Sequence, residues 1–177
     1  MKRYFTHQDA KKYFQGILSG KMLLEAGLES FSETRHRYDI FISHSYNDKE
    51  DVRLLYNMFK SLGLNPYIDW IDDRLDSFEE RKPGDPETAK TLKDRMQQSS
   101  CMLYVASSNA DHSLWMPWEF GYCDGIKKSI AIFPFLPNRS SRFDDCGYLK
   151  MYPKVEFDES TIEFTIGDKE ISTWIRG

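Results

Sequence analysis

Residues 38–50 read YDIFISHSYNDKE, and this segment is the most informative one for the fold. Its first six residues are rich in β-branched and aromatic side chains, which is typical of a buried strand. Polar residues follow at once, and Asn47 with Glu50 three residues later predicts the start of a helix. A buried strand that leads directly into a helix is typical of α/β proteins with a parallel sheet.

The alternation of short apolar strands and helices continues to about residue 135. Further strands are predicted at 64–70, 101–106 and 130–135, and further helices after the cap Asp85 and near 115–126. Such an order predicts a mainly parallel sheet that helices cover on both faces. In such a sheet ligands bind at the carboxyl ends of the strands, and the predicted strand at 38–43 ends at Ser43.

Two flanking segments differ from this core. Residues 1–37 are interpreted as an N-terminal helical extension, with an amphipathic helix at 6–19. Residues 136–177 are interpreted as a β-rich tail, whose alternating segments predict a terminal hairpin or edge strands. The predicted organisation is an extension at 1–37 followed by one domain at 38–177, whose core is 38–135.

Composition argues against several classes of protein. The chain has 177 residues, a formal net charge of −4 and no long basic run, so no nucleic-acid partner is expected. No apolar run reaches about 18 residues, so no membrane-spanning helix is expected. The cysteines Cys101, Cys123 and Cys146 show no paired spacing for zinc. We therefore expect a reducing, cytoplasmic compartment, no disulfide scaffold and no metal site.

A second informative segment is residues 113–119, which read SLWMPWE. Trp115 and Glu119 are four residues apart, so they share one face if the segment is helical. A carboxylate held against indole rings is partly desolvated, which suits a binding cleft. The alternative is that Trp115 belongs to the core and that Glu119 is a first-turn acid stabilised by the helix dipole.

Three sequence features together resemble the Toll/interleukin-1 receptor (TIR) domain family. They are the opening strand at 39–45 followed by Asp48, the predicted strand at 64–70 that leads into a long loop, and the pattern Trp115-x-x-x-Glu119. The resemblance extends from Tyr38 to about Phe135 and is strongest to stand-alone bacterial members of the Thoeris-like type.

The resemblance implies a fold and an activity. The implied fold is a flavodoxin-like three-layer sandwich with a five-stranded, mainly parallel sheet. The implied activity is cleavage of the nicotinamide–ribose bond of NAD+, which is the substrate, with no cofactor. The products would be nicotinamide and either ADP-ribose or a cyclic isomer of it. In this family such an activity depletes NAD+ or makes a signal for a downstream effector in anti-phage defence.

The resemblance also implies residue roles. It implies that Glu119 is the catalytic residue and that the loop at 71–85 mediates assembly into a homo-oligomer. This loop is longer and more acidic than the family pattern, and Pro117 is a further departure from it. The predicted substrate-binding residues are Ser43, His44, Ser45, Tyr46, Trp70 and Trp115. Ser43 to Tyr46 are expected to contact the ribose or the phosphates, and Trp70 is expected to stack on an aromatic base.

A single carboxylate suffices for the implied chemistry. Nicotinamide leaves a pyridinium centre as a neutral molecule, so no general acid is needed, unlike in ordinary glycoside hydrolysis. Glu119 would hold the ribose hydroxyls and stabilise the oxocarbenium-like transition state.

Two other functions remain open at this level. One is a TIR scaffold without enzymatic activity, which would act by homotypic assembly. The other is a nucleoside or nucleotide N-glycosidase or transferase, which would use the same carboxylate on smaller substrates.

Overall fold

The computed structural model describes residues 2–18, 37–72, 75, 84–144 and 147–177. The strands are β1 (Lys2–Arg3), β2 (Phe5–Thr6), β3 (Tyr38–Ser43), β4 (Pro66–Tyr67), β5 (Ser99–Ala106), β6 (Ser129–Leu136), β7 (Val155–Asp158), β8 (Glu163–Ile166) and β9 (Lys169–Glu170). The α-helices are α1 (His7–Leu18), α2 (Lys49–Ser61), α3 (Pro86–Gln98), α4 (Met116–Gly125) and α5 (Ile171–Arg176). Short 3-10 helices lie at Tyr46–Asp48, Asp69–Ile71, Ala110–His112 and Gly147–Met151.

The main sheet is parallel and has five strands in the order β2-β6-β5-β3-β4. Two clusters of buried apolar side chains pack against its two faces, one with α2 and the other with α3 and α4. The predicted α/β sandwich with a five-stranded sheet is therefore confirmed. The order of β4, β3, β5 and β6 is that of a flavodoxin-like sheet, in which the chain turns back at the first strand.

The fifth strand of the main sheet comes from the N-terminus. The strand β2 pairs in parallel with β6, with Phe5 opposite Phe135. Phe5 is buried, and its ring packs against four other phenylalanine rings, those of Phe133, Phe135, Phe157 and Phe164. The sequence predicts a helical extension at 1–37. The helix α1 lies there, but the residues that precede α1 form the strands β1 and β2. Residues 19–36 lie outside the described part of the chain.

The tail forms a second, antiparallel sheet in the order β1-β7-β8-β9. The predicted alternation at 155–157 and 161–166 corresponds to β7 and β8, which pair as a hairpin. The strand β1 adds to this sheet, so the N-terminus takes part in both sheets. The tail is not β-rich throughout, because the residues after Glu170 form the helix α5.

Two local predictions were wrong at the edge strand and at the first helix. The strand predicted at 64–70 is reduced to β4, because the chain turns into the 3-10 helix Asp69–Ile71. The helix predicted from Asn47 begins at Lys49, after a 3-10 turn that includes Asn47 itself. By contrast, the Asp85 cap is confirmed, since its carboxylate accepts a hydrogen bond from the Thr88 amide at 2.7 Å. Among the described residues, no helix is both long and apolar enough to cross a bilayer.

Candidate active site

A hydrogen bond joins the two motifs singled out in the sequence. The Ser43 hydroxyl, at the carboxyl end of β3, donates to Glu119 Oε2 at 2.6 Å. Ser43 is 1% exposed and Glu119 is 4% exposed. The contact links residues 76 positions apart in the chain. The strand end and the helix carboxylate therefore form a single site.

The local sequence places Glu119 in the first turn of α4. Pro117 is accommodated there because the first turn of a helix needs no amide donor at that position. The Glu119 amide donates to the Trp115 carbonyl at 2.8 Å, which closes the turn. At this end of the helix the dipole favours a negative charge, so the backbone stabilises an ionised Glu119.

The Glu119 carboxylate also influences neighbouring titratable groups. Burial raises the pKa of the Cys123 thiol to about 12, and the nearby Glu119 charge adds to this effect. Burial is likewise the main cause of the raised pKa of Tyr104, to which Tyr148, Asp111 and Glu119 contribute. These effects place Tyr104 and Cys123 within the electrostatic reach of the carboxylate.

His44 lies on the other side of the sheet edge from Ser43. Its Nδ1 lies 3.1 Å from the Ile42 carbonyl oxygen, which can only accept a hydrogen bond. Its Nε2 lies 3.5 Å from Asp69 Oδ1, and its ring meets the Trp70 ring edge-to-face with centroids 4.6 Å apart. The structure thus brings His44 and Trp70 together, while Ser43 is paired with Glu119.

The side chain of Lys49, which the sequence patterns do not indicate, lies near the rings of Tyr46 and Trp70. The Lys49 ammonium lies 5.7 Å from the Tyr46 ring centroid and 6.0 Å from that of Trp70. A lysine in the first turn of a helix opposes the helix dipole. This local conflict is a sequence signal that could have drawn attention to Lys49.

The remaining predicted site residues lie at the same edge. Ser45 is buried, and its carbonyl accepts the Asp48 amide at 3.0 Å, which starts the 3-10 turn. Trp115 is half-buried directly before α4, and its ring meets Trp118 edge-to-face at 5.3 Å. Trp115 therefore packs against its own helix and stays partly exposed beside the Glu119 turn.

Asp48 is a buried polar residue whose role the sequence did not reveal. Its carboxylate accepts hydrogen bonds from the Ser107 hydroxyl and, at 2.6 Å, from the Asn109 side-chain amide. Because Asp48 follows β3 and the other two follow β5, this group fixes two loops at the carboxyl edge relative to each other. The interaction partners are about 60 residues apart, so no local pattern predicts them.

The acidic loop is only partly described. Asp72 is buried and accepts hydrogen bonds from Arg95 Nε at 2.5 Å and from the Tyr67 hydroxyl at 3.1 Å. This ion pair accounts for Asp72 as a structural carboxylate. Within the described ranges, no group of three histidine, cysteine or acidic residues could hold a metal. Most of the predicted assembly loop at 71–85 lies outside those ranges, since the structure does not describe residues 73–74 and 76–83.

Known proteins resemble this chain in sequence. The family model of the Thoeris protein ThsB, TIR-like domain, matches residues 41–139. The chain is 40% identical over 148 residues to "Probable 3' cyclic ADP-D-ribose synthase ThsB'" of Bacillus cereus (strain MSX-D12), covering 81% of this chain and 72% of that protein. It is 31% identical over 131 residues to "Putative cyclic ADP-D-ribose synthase TIR2" of Cytobacillus dafuensis, covering 73% of this chain and 32% of that protein.

A solved structure also resembles the chain. It is the crystal structure of the TIR domain of the Toll-related receptor TRR-2 from Hydra magnipapillata. The match has a TM-score of 0.48 and 17% sequence identity, and it covers 66% of this chain and 83% of that one.

Proposed function

Because the chain belongs to the Thoeris ThsB family of TIR-like domains, we propose that it cleaves NAD+ between nicotinamide and ribose and closes the remaining ADP-ribose into a cyclic isomer. The observation that carries the proposal is the buried Glu119 carboxylate, which Ser43 holds at the carboxyl edge of a parallel sheet. This edge is where ligands bind in open α/β sheets.

Cleavage requires stabilisation of positive charge. As the bond between the ribose C1 carbon and the nicotinamide nitrogen breaks, its electron pair leaves with nicotinamide and the ribose ring becomes cationic. A fixed carboxylate in a water-poor site stabilises such a cation far more than it would in bulk water. The Ser43 hydrogen bond to Oε2 sets the orientation of the carboxylate that would face the ribose.

Cyclisation requires a nucleophile from the same molecule. A hydroxyl of the ADP-ribose moiety forms a bond to the ribose C1 carbon and loses its proton, either to Glu119 or to water. Hydrolysis differs only in that water supplies the oxygen. The ThsB' relative is named as a 3' cyclic ADP-D-ribose synthase, which favours an intramolecular hydroxyl as the nucleophile in this chain too.

The two sides of the sheet edge suit the two ends of NAD+. Glu119, oriented by Ser43, would hold the nicotinamide ribose on the α4 side. Trp70 would stack on the adenine on the α2 side, and Lys49 beside it would attract the diphosphate. His44, Ser45 and Tyr46 would line the path between these two ends.

The role in the cell is part of the same proposal. The product would act as a signal for a downstream effector in anti-phage defence, or NAD+ would be depleted. Self-assembly through the loop at 71–85 would regulate the activity. Both points rest on family membership and on the resemblance described above.

The experiment is to incubate the purified chain at high concentration with NAD+ and to separate the products by chromatography and mass spectrometry. The proposal predicts nicotinamide and a product of the mass of ADP-ribose minus water. A product of the mass of ADP-ribose itself would indicate hydrolysis. Turnover of nucleosides or nucleoside monophosphates in place of NAD+ would contradict the proposal in favour of a smaller-substrate N-glycosidase.

A further inference from the structure

Tyr148 is an exposed aromatic residue beside the Glu119 turn, outside every motif discussed so far. It lies in the 3-10 helix Gly147–Met151 and is 46% exposed. Its ring packs on that of Phe120, the residue after Glu119, with centroids 5.0 Å apart. The tail that follows the main sheet therefore returns to the side of the sheet on which α4 lies.

The register of the sheet connects Tyr148 to the catalytic contact. Tyr104 pairs with Ser43 in the neighbouring strand, so both side chains project from the same face. The Tyr104 ring meets that of Phe120 edge-to-face, with centroids 5.6 Å apart, and the Phe120 ring also contacts the Tyr148 ring. Tyr148 also lies within hydrogen-bonding and electrostatic reach of the Tyr104 hydroxyl. Tyr104 and Tyr148 thus both pack against Phe120, the residue after Glu119, and Tyr104 lies beside Ser43 in the sheet.

A second tyrosine of the same segment provides a comparison. Tyr152 also packs on Phe120, with centroids 4.8 Å apart. Its hydroxyl, however, donates to Asp124 at 2.6 Å, near the other end of α4. The two tyrosines thus share one aromatic neighbour, but the Tyr152 hydroxyl is bound near the C-terminal end of α4, whereas Tyr148 interacts with Tyr104.

We propose that Tyr148 forms the wall of the NAD+ site on which the nicotinamide ring stacks, an inference that rests on the proposed function. The nicotinamide is bonded to the carbon whose charge Glu119 stabilises, so it must lie within about one ring width of that carboxylate. An exposed aromatic face fixed by Phe120 beside this turn supplies a flat, apolar surface at low entropic cost. The tail residue Tyr148 thus determines specificity for the leaving group.

The test compares Tyr148→Ala, Tyr148→Phe and Tyr152→Ala with the wild type. For each protein, the KM for NAD+ and the inhibition constants of nicotinamide and ADP-ribose are measured. Tyr148→Ala is expected to raise the KM and the nicotinamide inhibition constant about tenfold, which corresponds to about 1.4 kcal/mol. Tyr148→Phe keeps the ring and should keep both constants. The ADP-ribose constant, which involves no nicotinamide, should stay the same in every variant.

The outcomes separate this inference from the proposed function. If the wild type turns over NAD+ but Tyr148→Ala leaves the KM and the nicotinamide constant unchanged, the inference fails and the proposed function stands. An equal rise in Tyr152→Ala, or a rise in the ADP-ribose constant alone, would also overturn it. If the wild type neither binds nor converts NAD+, the proposed function fails first. Thermal unfolding of each variant, which should stay near the wild-type value, excludes misfolding as the cause of a change.

Discussion

At the scale of single residues, the site depends on how Ser43 holds Glu119. Sequence spacing predicts that Trp115 and Glu119 share one helical turn, and the family resemblance implies a catalytic role for Glu119. Neither could show that Ser43 donates to this carboxylate, because a contact across 76 residues has no local signature. His44 illustrates the same limit. The sequence predicts that His44 and its neighbour Ser43 both contact the ribose or the phosphates. Successive side chains of a strand point to opposite faces, however, and the His44 ring packs against Trp70.

We predict that Ser43→Ala lowers kcat between about 10- and 100-fold with little change in KM. Ser43 touches the carboxylate, so its loss affects the orientation of Glu119 more than the binding of substrate. Ser43→Thr retains the hydroxyl and should recover most of the rate. Steady-state kinetics of both variants test this. A Ser43→Ala enzyme with the kcat of the wild type would show that the hydrogen bond does not position Glu119.

At the scale of elements, the fifth strand shows what sequence reasoning can miss. The core strands β3, β5 and β6 were predicted because each is six or eight residues long, enough for an apolar run to stand out. The strand β2 has two residues, so it offers no periodicity to recognise. Pairing with β6 and the aromatic cluster around Phe5 define it, and both are tertiary interactions.

We predict that Phe5→Ala destabilises the protein by about 3–5 kcal/mol. The substitution removes a buried ring from the aromatic cluster and leaves a cavity between the main sheet and the tail. Met151→Ala is the matched control, because Met151 is 74% exposed and its truncation should change stability by less than about 0.5 kcal/mol. Urea denaturation followed by circular dichroism measures both. An equal loss of stability in the two variants would show that Phe5 of β2 does not stabilise the packing between the main sheet and the tail.

At the scale of the whole molecule, a network of charges joins the first residues to the tail. The buried Asp9 carboxylate accepts hydrogen bonds from Arg3, Thr6 and Arg139. Arg3 and Arg139 also pair with Glu159, which follows β7. The composition gives no sign of this network, because its members are distributed from Arg3 in the first strand to Glu159 in the tail. It fixes α1 against both sheets.

The network should make stability depend on pH in the acid range. Burial alone would raise the pKa of Asp9, but hydrogen bonds from Arg3, Thr6 and Arg139 and the charge of Arg3 together lower this pKa from 3.8 to about 2. A lowered pKa means that the ionised form is stabilised by folding, so the contribution is complete above about pH 4 and is lost toward pH 2. Asp9→Asn should lower the urea midpoint at pH 7, and this difference should shrink toward pH 2. A difference that does not vary with pH would contradict the assignment.

The described thiols should be unreactive in the folded protein. Cys101 and Cys123 are both buried, and burial raises the pKa of each. In a Cys146→Ser variant, a thiol reagent at pH 8 should therefore label neither cysteine in buffer and both in denaturant. Rapid labelling of either residue under native conditions would show that the core around α4 or β5 opens readily.

If the Glu119 carboxylate carries out the cleavage of NAD+, its replacement by an amide should abolish the release of nicotinamide. Nicotinamide release is measured for the wild type, Glu119→Gln and Asp124→Asn at equal concentration, with folding checked by thermal unfolding. Asp124 is an exposed acid of the same helix and serves as the matched control. We predict that Glu119→Gln loses at least about 1,000-fold in rate while Asp124→Asn retains the wild-type rate. A folded Glu119→Gln protein that releases nicotinamide as fast as the wild type would contradict the account.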